Sequence, residues 1–491
     1  MRKKFLNTRS ILNIVRALVF IALLILFSGT HAFTQELINF SKVDRETHNH
    51  YTEQKWDTLI DLGEKALATD IDYFYLRLRM GIAYYQKKNY FMAAHHLEKA
   101  KQFNANDKTT LEYLFWAYRF TNRYGEAEKL SAGFSEEMAD RFETGGVLNK
   151  IIAEAGPVLS NNISSNSLTA DNVPNLYSEQ DLYGDMLFLQ AGADFNLSKF
   201  LSMYFSYDQL EVDKQKQILT SEIVKIDEEV IFIGEGIFPH NIYGAQKKVY
   251  SSNYTLHQKG FYASPTLYPG KGFIVAPAFH YLVIDYATMT AEPQVEQFYA
   301  QIYDTIPSEK IVYTIKTGQQ RLEKSIWSLF LSKSRKILTF ALQGSWSDLN
   351  FAEQLQFSGS VYWYPKGNLD LYVGTRFTHV REKEEKNWHY NQLVGGKIIS
   401  WLWVEGLVSI GEMRNFTENN ALVVHNSGDL MKFRTGANFI IPLYKKLELS
   451  LRYRYLSMET SRFNVRENES VYLQNISYTN QSIIGGLQWK F

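Results

Sequence analysis

No cysteine occurs among the 491 residues. Disulfide cross-links and thiolate metal sites are therefore closed, as is a membrane anchor carried on a lipid-modified cysteine. A chain of this length buries an ample core without cross-links. Charge of one sign is also lacking, since 52 Lys and Arg balance 52 Asp and Glu. No basic region offers itself to a nucleic-acid backbone, so no nucleic-acid partner is expected. Long apolar runs are missing after Phe27, where a spanning helix would need about 20 residues. The mature chain is then either exported and free, or it crosses a membrane by strands.

The first residues set the export route. Arg2, Lys3, Lys4, Arg9 and Arg16 precede an apolar run from Ala17 to Phe27, and Thr30-His31-Ala32 follows. A basic start, a short apolar core and small residues at a cleavage site make a secretory signal peptide, assigned to residues 1–32.

From about residue 150 the texture is that of strands. Leu447, Leu449, Leu451, Tyr453 and Tyr455 alternate with Glu448, Ser450, Arg452 and Arg454, and similar alternation runs through 187–196 and 369–374. Alternation alone also fits a soluble sandwich. Connection lengths discriminate better. Tight connections at 197–199, 266–270, 334–335, 366–367, near 401 and at 443–444 mostly alternate with longer ones at 159–183, 214–249, 289–319, 383–386, 416–427 and 461–474. Tyr268, Trp363, Tyr364, Trp401, Trp403, Tyr444 and Trp489 cluster beside the tight turns. Both features point to an antiparallel membrane barrel of about 14 strands (about 12 to 16), with short turns on one side and long loops on the other. Aromatics, 15% of the chain, suit the two girdles of such a barrel.

The chain ends inside a strand, Gly486-Leu487-Gln488-Trp489-Lys490-Phe491. A barrel needs its last strand to pair with its first, leaving no edge. The pattern Gly486, Trp489, Phe491 resembles the terminal signal of bacterial outer-membrane β-barrel proteins. That resemblance implies recognition by the outer-membrane assembly machinery.

Residues 33–145 read as helix with a period of 34. Gly81, Tyr84, Tyr90, Ala93 and Ala100 in one unit correspond to Tyr118, Tyr124 and Ala127 in the next, and to Trp56, Leu59 and Ala66 in the one before. An aromatic at the turn and small residues at the helix crossing resemble the tetratricopeptide repeat. Two departures stand out: Ala105 replaces the usual proline, and the unit of Trp56 lacks the glycine and tyrosine. The resemblance implies a surface that binds a protein partner.

Chemistry is sparse. His48 and His50, two residues apart, fall on different faces of a helix, and His95 and His96 are adjacent, so neither pair is expected to hold a metal. Gly270-Lys271-Gly272 and Gly395-Gly396-Lys397 are too short for phosphate loops, and Gly344-Ser345-Trp346 is half of a nucleophile elbow. No cofactor and no catalytic residue is assigned. Asp194, Asp370, Arg376, Arg434, Glu448, Arg452 and Arg454 fall on the polar side of their strands and are expected to line the lumen, with Arg434, Arg452 and Arg454 either in one cross-strand network with carboxylates such as Glu448 or along a path for an anion.

The fold class expected is therefore a short periplasmic tetratricopeptide domain (33–145) followed by an outer-membrane β-barrel (146–491), with long loops at the cell surface. In outline it resembles the outer-membrane exporters of bacterial exopolysaccharides, though their helical arrays are far longer. The function expected is a non-enzymatic subunit. It sits in outer-membrane lipid and docks a periplasmic or outer-membrane protein partner of an assembly, secretion or export machine. An export channel for polysaccharide or another solute is the alternative, and a lipid-modifying enzyme a distant one.

Overall fold

The computed structural model describes residues 39–142, 146–170, 176–233, 236–298, 308–349, 353–444, 446–466 and 470–491. The signal segment 1–32 lies outside them.

Helices α1 (Phe40–Thr52), α2 (Trp56–Ala68), α3 (Phe74–Gln86), α4 (Tyr90–Phe103), α5 (Lys108–Phe120) and α6 (Tyr124–Ser131) form three hairpins, followed by the short α7 (Glu136–Arg141). The hairpins start at residues 40, 74 and 108, and their second helices at 56, 90 and 124, each 34 residues after the last. Gln54, Lys88 and Asn122 occupy the same place in the three turns, with φ of 56°, 60° and 60°. The left-handed conformation is uncommon outside glycine, so its recurrence marks one turn geometry used three times. Small residues sit where helices cross. Ala66, Ala93, Ala100 and Ala127 are fully buried, and a Cβ on Gly81 would lie 2.6 Å from Leu97 Cγ on α4. A polar contact repeats as well. Tyr84 Oη donates to Glu64 Oε1 at 3.1 Å, and one period later Tyr118 Oη donates to Glu98 Oε1 at 3.0 Å.

The strands are β1 (Leu148–Ser160), β2 (Tyr177–Ser198), β3 (Leu201–Ile233), β4 (Gly236–Gly270), β5 (Phe273–Phe298), β6 (Ser308–Arg335), β7 (Leu338–Ser347), β8 (Gln354–Trp363), β9 (Leu371–Glu382), β10 (Glu385–Ile399), β11 (Leu402–Met413), β12 (Phe416–Glu418), β13 (Val423–His425), β14 (Leu430–Tyr444), β15 (Leu447–Val465) and β16 (Val471–Lys490). A short helix α8 (Asn162–Asn166) follows β1. All but β12 and β13 form one closed antiparallel barrel in chain order, with β16 sealed against β1 from Lys150↔Lys490 to Ser160↔Asn480. Beyond the end of β1, β2 pairs a second time, through Tyr177↔Val465, Ser178↔Asn464 and Glu179↔Phe463 of β15.

Two expected loops are corrected here. Segments 214–249 and 289–319 are largely strand, because β3 and β4 continue pairing to Ile233↔Gly236 and β5 and β6 to Phe298↔Ser308. Backbone ladders satisfy polar groups that a long loop would leave to water. The resulting strands reach 33 and 35 residues in β3 and β4, far beyond the ~9–11 needed to cross a bilayer.

The side chains are distributed inside out. On β6, Trp327, Leu329 and Leu331 are 55%, 44% and 40% exposed, while Ser328 and Ser332 between and beyond them are 7%. The same reversal holds on β7 and β8, where Phe340, Leu342, Leu355 and Phe357 face out and Gln343, Ser345, Gln356 and Ser358 face in. A sandwich would bury the apolar face, so the alternation resolves in favour of a membrane barrel. On β5 the apolar outer face runs from Phe273 to Tyr281 before Asp285, about 27 Å along the strand and about 20 Å once tilted. Trp363, Trp401, Tyr444 and Trp489 ring its short-turn border, and Tyr207, Phe261, Trp327, Trp346 and Trp388 its other border.

Candidate functional site

The lumen holds a hairpin of the chain itself. After β11 the segment Arg414–Asp429, which contains the expected outer loop 416–427, turns inward as β12 and β13. Its tip is built on Asn419, Asn420 and Ala421 with φ of 50°, 57° and 64°, a conformation asparagine tolerates better than most residues. The tip is held by the opposite wall. Asn420 Nδ2 donates to Ala276 O at 2.9 Å, and its Oδ1 and O accept from Ser328 Oγ at 2.8 Å and Tyr262 Oη at 3.1 Å. His280 Nδ1 lies 2.8 Å from Ala421 O and its Nε2 3.1 Å from Asp208 Oδ1. The ring thus bridges the hairpin tip and the wall of β3.

Nearer the base, Gln356 and Thr417 exchange hydrogen bonds of 2.9 and 2.8 Å, as paired strands would. Glu418 accepts both terminal nitrogens of Arg434, at 2.8 and 2.7 Å, and His425 Nε2 is 3.3 Å away. Phe416 stacks on His425 with centroids 4.3 Å apart and packs among Val380, Met413, Met431 and Met458. Ala421 and Val424 pack against Leu282, Ile284, Ile326 and Leu349. The hairpin thus crosses the interior from β10, β11 and β14 to the wall of β4–β7 with its polar groups largely paired.

The expected lumen charges do not form one network. Arg434, on β14, pairs with Glu418 of the inserted hairpin. Arg452 Nη2 donates to Glu154 Oε1 at 2.7 Å, reaching across β16. Arg454 Nη1 donates to Tyr453 O at 2.8 Å, Arg376 Nε to Ser360 Oγ at 3.1 Å, and Lys490 Nζ to Glu448 Oε2 at 3.2 Å. Asp194 is buried and accepts from Asn149 Nδ2 at 2.8 Å. The arginines part because the register places Gly436 opposite Arg454, Asn438 opposite Arg452 and Leu456 opposite Arg434. Asp370 is corrected too. It lies in the turn before β9, where Gly367 (φ 66°) and Asn368, whose Oδ1 accepts from Asp370 N, bend the chain away from a strand.

That turn is one of two mounts for the helical region. At the α3–α4 turn, Phe91 N donates to Gly367 O at 3.0 Å, Asn368 Nδ2 donates to Lys88 O at 2.9 Å, and the Phe91 ring stacks on Tyr364 at 4.2 Å. At the α5–α6 turn, one period later, Gly272 N donates to Glu126 Oε1 at 2.8 Å and Lys129 Nζ donates to Tyr268 O and Pro269 O at 3.1 and 2.9 Å. Gly125, the counterpart of Phe91, lies against Tyr268, where a Cβ would come within 2.1 Å of the ring. Tyr268 and Tyr364, expected in the inner aromatic girdle, serve these mounts instead. Arg123, largely buried, bridges Glu98 and Glu126 behind the second mount. Burial alone would lower its basicity, but hydrogen bonding to Glu126 and the nearby Glu98 charge hold it above the ordinary value.

The helical region carries its own exposed feature. Tyr85, Tyr90, Tyr113 and Phe120 form a run of rings with centroids 4.6 to 5.2 Å apart, joined by Trp116 at 6.0 Å. All five stay partly open, and Phe120 is 43% exposed. Tyr124 faces the barrel, with Lys490 Nζ 5.8 Å from its ring. Trp56 packs against Tyr51. Behind the run His96 stacks on Tyr84 and touches Arg77. Burial holds His96 below its ordinary value and pushes His95 down to about 4, which keeps both neutral at pH 7. Among the described residues no group of three metal-ligating side chains converges.

Sequence reading missed Asp208, His280, Glu418, Asn420, Gly125 and Gly367. The available signal was the alternation Phe416-Thr417-Glu418 and Val423-Val424-His425 around Asn419-Asn420, a hairpin pattern with apolar members inside a presumed solvated loop.

No family model matches the chain. No curated protein matches it either. Solved structures with partial similarity are barrels. The translocator domain of autotransporter NalP from Neisseria meningitidis is 7% identical, covering 76% of this chain and 100% of that one, at a TM-score of 0.28. The outer membrane protein Omp33 of Acinetobacter baumannii is 8% identical, covering 71% and 100%, at 0.29. A Pseudomonas aeruginosa FadL homologue is 10% identical, covering 71% and 91%, at 0.32. Similarity this slight carries nothing about function, and the barrel assignment rests on the strand closure and inside-out faces described above.

Proposed function

We propose that this chain is a non-enzymatic outer-membrane subunit, a plugged barrel that mounts a tetratricopeptide-like docking module at its periplasmic mouth. The helical region stands in the periplasm, and the long hairpins of β3–β4 and β5–β6 stand outside the cell. The observation that carries the reading is the double mount. Two successive repeats use the same turn to grip the barrel rim, while the aromatic run on α3, α4 and α5 stays partly open. Exposed contiguous aromatic surface marks an interaction face, and a rigid mount fixes its orientation.

The test is Ala93→Arg, which overpacks the buried α3–α4 crossing at a cost of roughly 1–3 kcal/mol or more. Barrel abundance is expected to stay near normal, while the periplasmic partner recovered by mild cross-linking of wild-type cells is lost. Retention of that partner would move recruitment to the barrel. The second reading, an export channel, is favoured by the Ser-, Asn- and Gln-lined wall behind the inserted hairpin. Conductance separates the two, as argued below.

Assembly gives a further expectation. Phe491 N donates to Asn149 O at 2.9 Å, and Trp489 stands opposite both Ile151 and Leu447 at the seam. Deleting Phe491 should lower the amount of heat-modifiable barrel in outer-membrane fractions and raise periplasmic degradation products. Unchanged amount and unchanged mobility would count against a terminal recognition role.

A further inference from the structure

We infer a lipid-phosphate site on the outer wall of β9 and β10, an inference that rests on the membrane reading above. The two strands pair directly, so their outward residues form a ladder: Phe377↔Tyr390, His379↔Trp388 and Arg381↔Lys386. The lower rungs are aromatic. Phe377 and Tyr390 lie 4.9 Å apart, and His379 stacks on Trp388 at 4.1 Å. Phe357 of β8 stands opposite His379, and Leu355 opposite Arg381. Phe377, Trp388 and Phe357 are 57%, 63% and 55% exposed, which places acyl-chain contact directly beneath the top rung.

The top rung is two cations facing each other. Like charges opposite one another across strands are destabilising, and Lys383 in the adjoining turn adds a third. Among the described residues none of the three forms an ion pair; Arg381 Nε donates to Lys383 O at 3.5 Å. Some outward-facing cations elsewhere have carboxylate partners, while Lys333 and Lys397 rest on the Phe273 and Trp403 rings. Arg321 meets Glu323 at 3.6 Å, and Lys432 pairs with Glu459. Of the glutamates in the same hairpin, Glu382 meets Asn415 at 3.2 Å and Glu385 meets Arg414 at 3.8 Å on the opposite strand face, and Glu384 stands in the turn. Two facing cations that form no ion pair, seated on an aromatic platform at the outer border of the apolar band, fit an amphiphile with an anionic head. Arg381 and Lys386 would share one phosphate, and the acyl chains would lie over Trp388, Phe377 and Phe357. The ligand is an anionic membrane lipid of the outer leaflet, and a soluble phosphate lacks the tails the platform addresses.

The experiment is lipid retention by native mass spectrometry. Full-length protein is reconstituted in phosphatidylcholine vesicles containing one-fifth phosphatidylglycerol, then released in mild detergent. Wild type is expected to retain phosphatidylglycerol. The double variant Arg381→Gln, Lys386→Gln should retain about tenfold less, and Trp388→Ala should also lose retention. Lys432→Gln, on the same rim, should not. Equal retention in wild type and the double variant, both inserted and heat-modifiable, overturns the site and leaves the membrane reading standing. Displacement of the lipid by millimolar inorganic phosphate alone would reassign the cluster to a free anion. Failure of wild type to enter vesicles at all overturns both.

Discussion

Excising residues 415–427 and bridging the gap with a short Gly-Ser linker should turn a nearly silent barrel into a conducting one. In planar bilayers the intact protein is expected to show little steady current, because the hairpin spans the lumen and its tip is fixed to four strands of the far wall. The excised form should conduct at least about tenfold more, since 14 strands enclose a lumen wider than the packed interiors of 8-stranded barrels. Removal frees Arg434, Gln356, Tyr262 and His280 to face water, so the wall loses partners without burying orphaned groups. Two point variants keep the result independent of the deletion. Glu418→Ala leaves Arg434 buried and unpaired, a change that typically costs about 3–5 kcal/mol, and His280→Ala removes the hold on Ala421. Each should give intermittent opening with the hairpin intact. Large steady current from the intact protein, or no gain on excision, would sink the plugged-anchor reading. A gain that partner binding also produces would favour the export channel.

Much of the barrel was legible in the sequence because a strand in a closed sheet obeys two local rules. Side chains alternate, and short turns leave little freedom in where a strand ends. Leu447–Tyr455 and the turn at 366–367 illustrate both. The helical period was legible for a similar reason: Gly81, Ala93 and Ala100 must be small wherever the same crossing recurs. What was not legible depends on partners far apart in the chain. The register that separates Arg434 from Arg454 is set along whole strands. The inward turn of 414–429 depends on Tyr262, Asn420 and His280 meeting across the lumen, and the local hairpin pattern around Asn419-Asn420 does not say which way it points. The extension of β3–β6 was hidden by polarity. Beyond the apolar band both strand faces carry charged and polar residues, such as Glu211, Asp213 and Lys247, so alternation fades while pairing continues.

The mount makes the second large prediction. Gly125 leaves no room for a side chain, since a Cβ there would meet the Tyr268 ring at 2.1 Å. Gly125→Trp should therefore release α6 from the β4–β5 turn, breaking the Glu126–Gly272 and Lys129–Tyr268 contacts together. One mount would remain at Phe91 and Tyr364, and the helical region would swing about it. The absence of native cysteine makes this measurable, because labels on introduced cysteines have no competing sites. With Thr109→Cys and Lys366→Cys labelled, wild type should give one narrow distance distribution by pulsed electron paramagnetic resonance. Gly125→Trp should give a broad one, with the helical fold retained by circular dichroism and the barrel still heat-modifiable. Adding Tyr268→Ala to Gly125→Trp restores space for the indole and should narrow the distribution again. A broad distribution in wild type would mean that the helical region is tethered without being fixed. A narrow one in Gly125→Trp would mean that the first mount alone sets the orientation, and that the repeated use of one turn is not what holds the aromatic face in place.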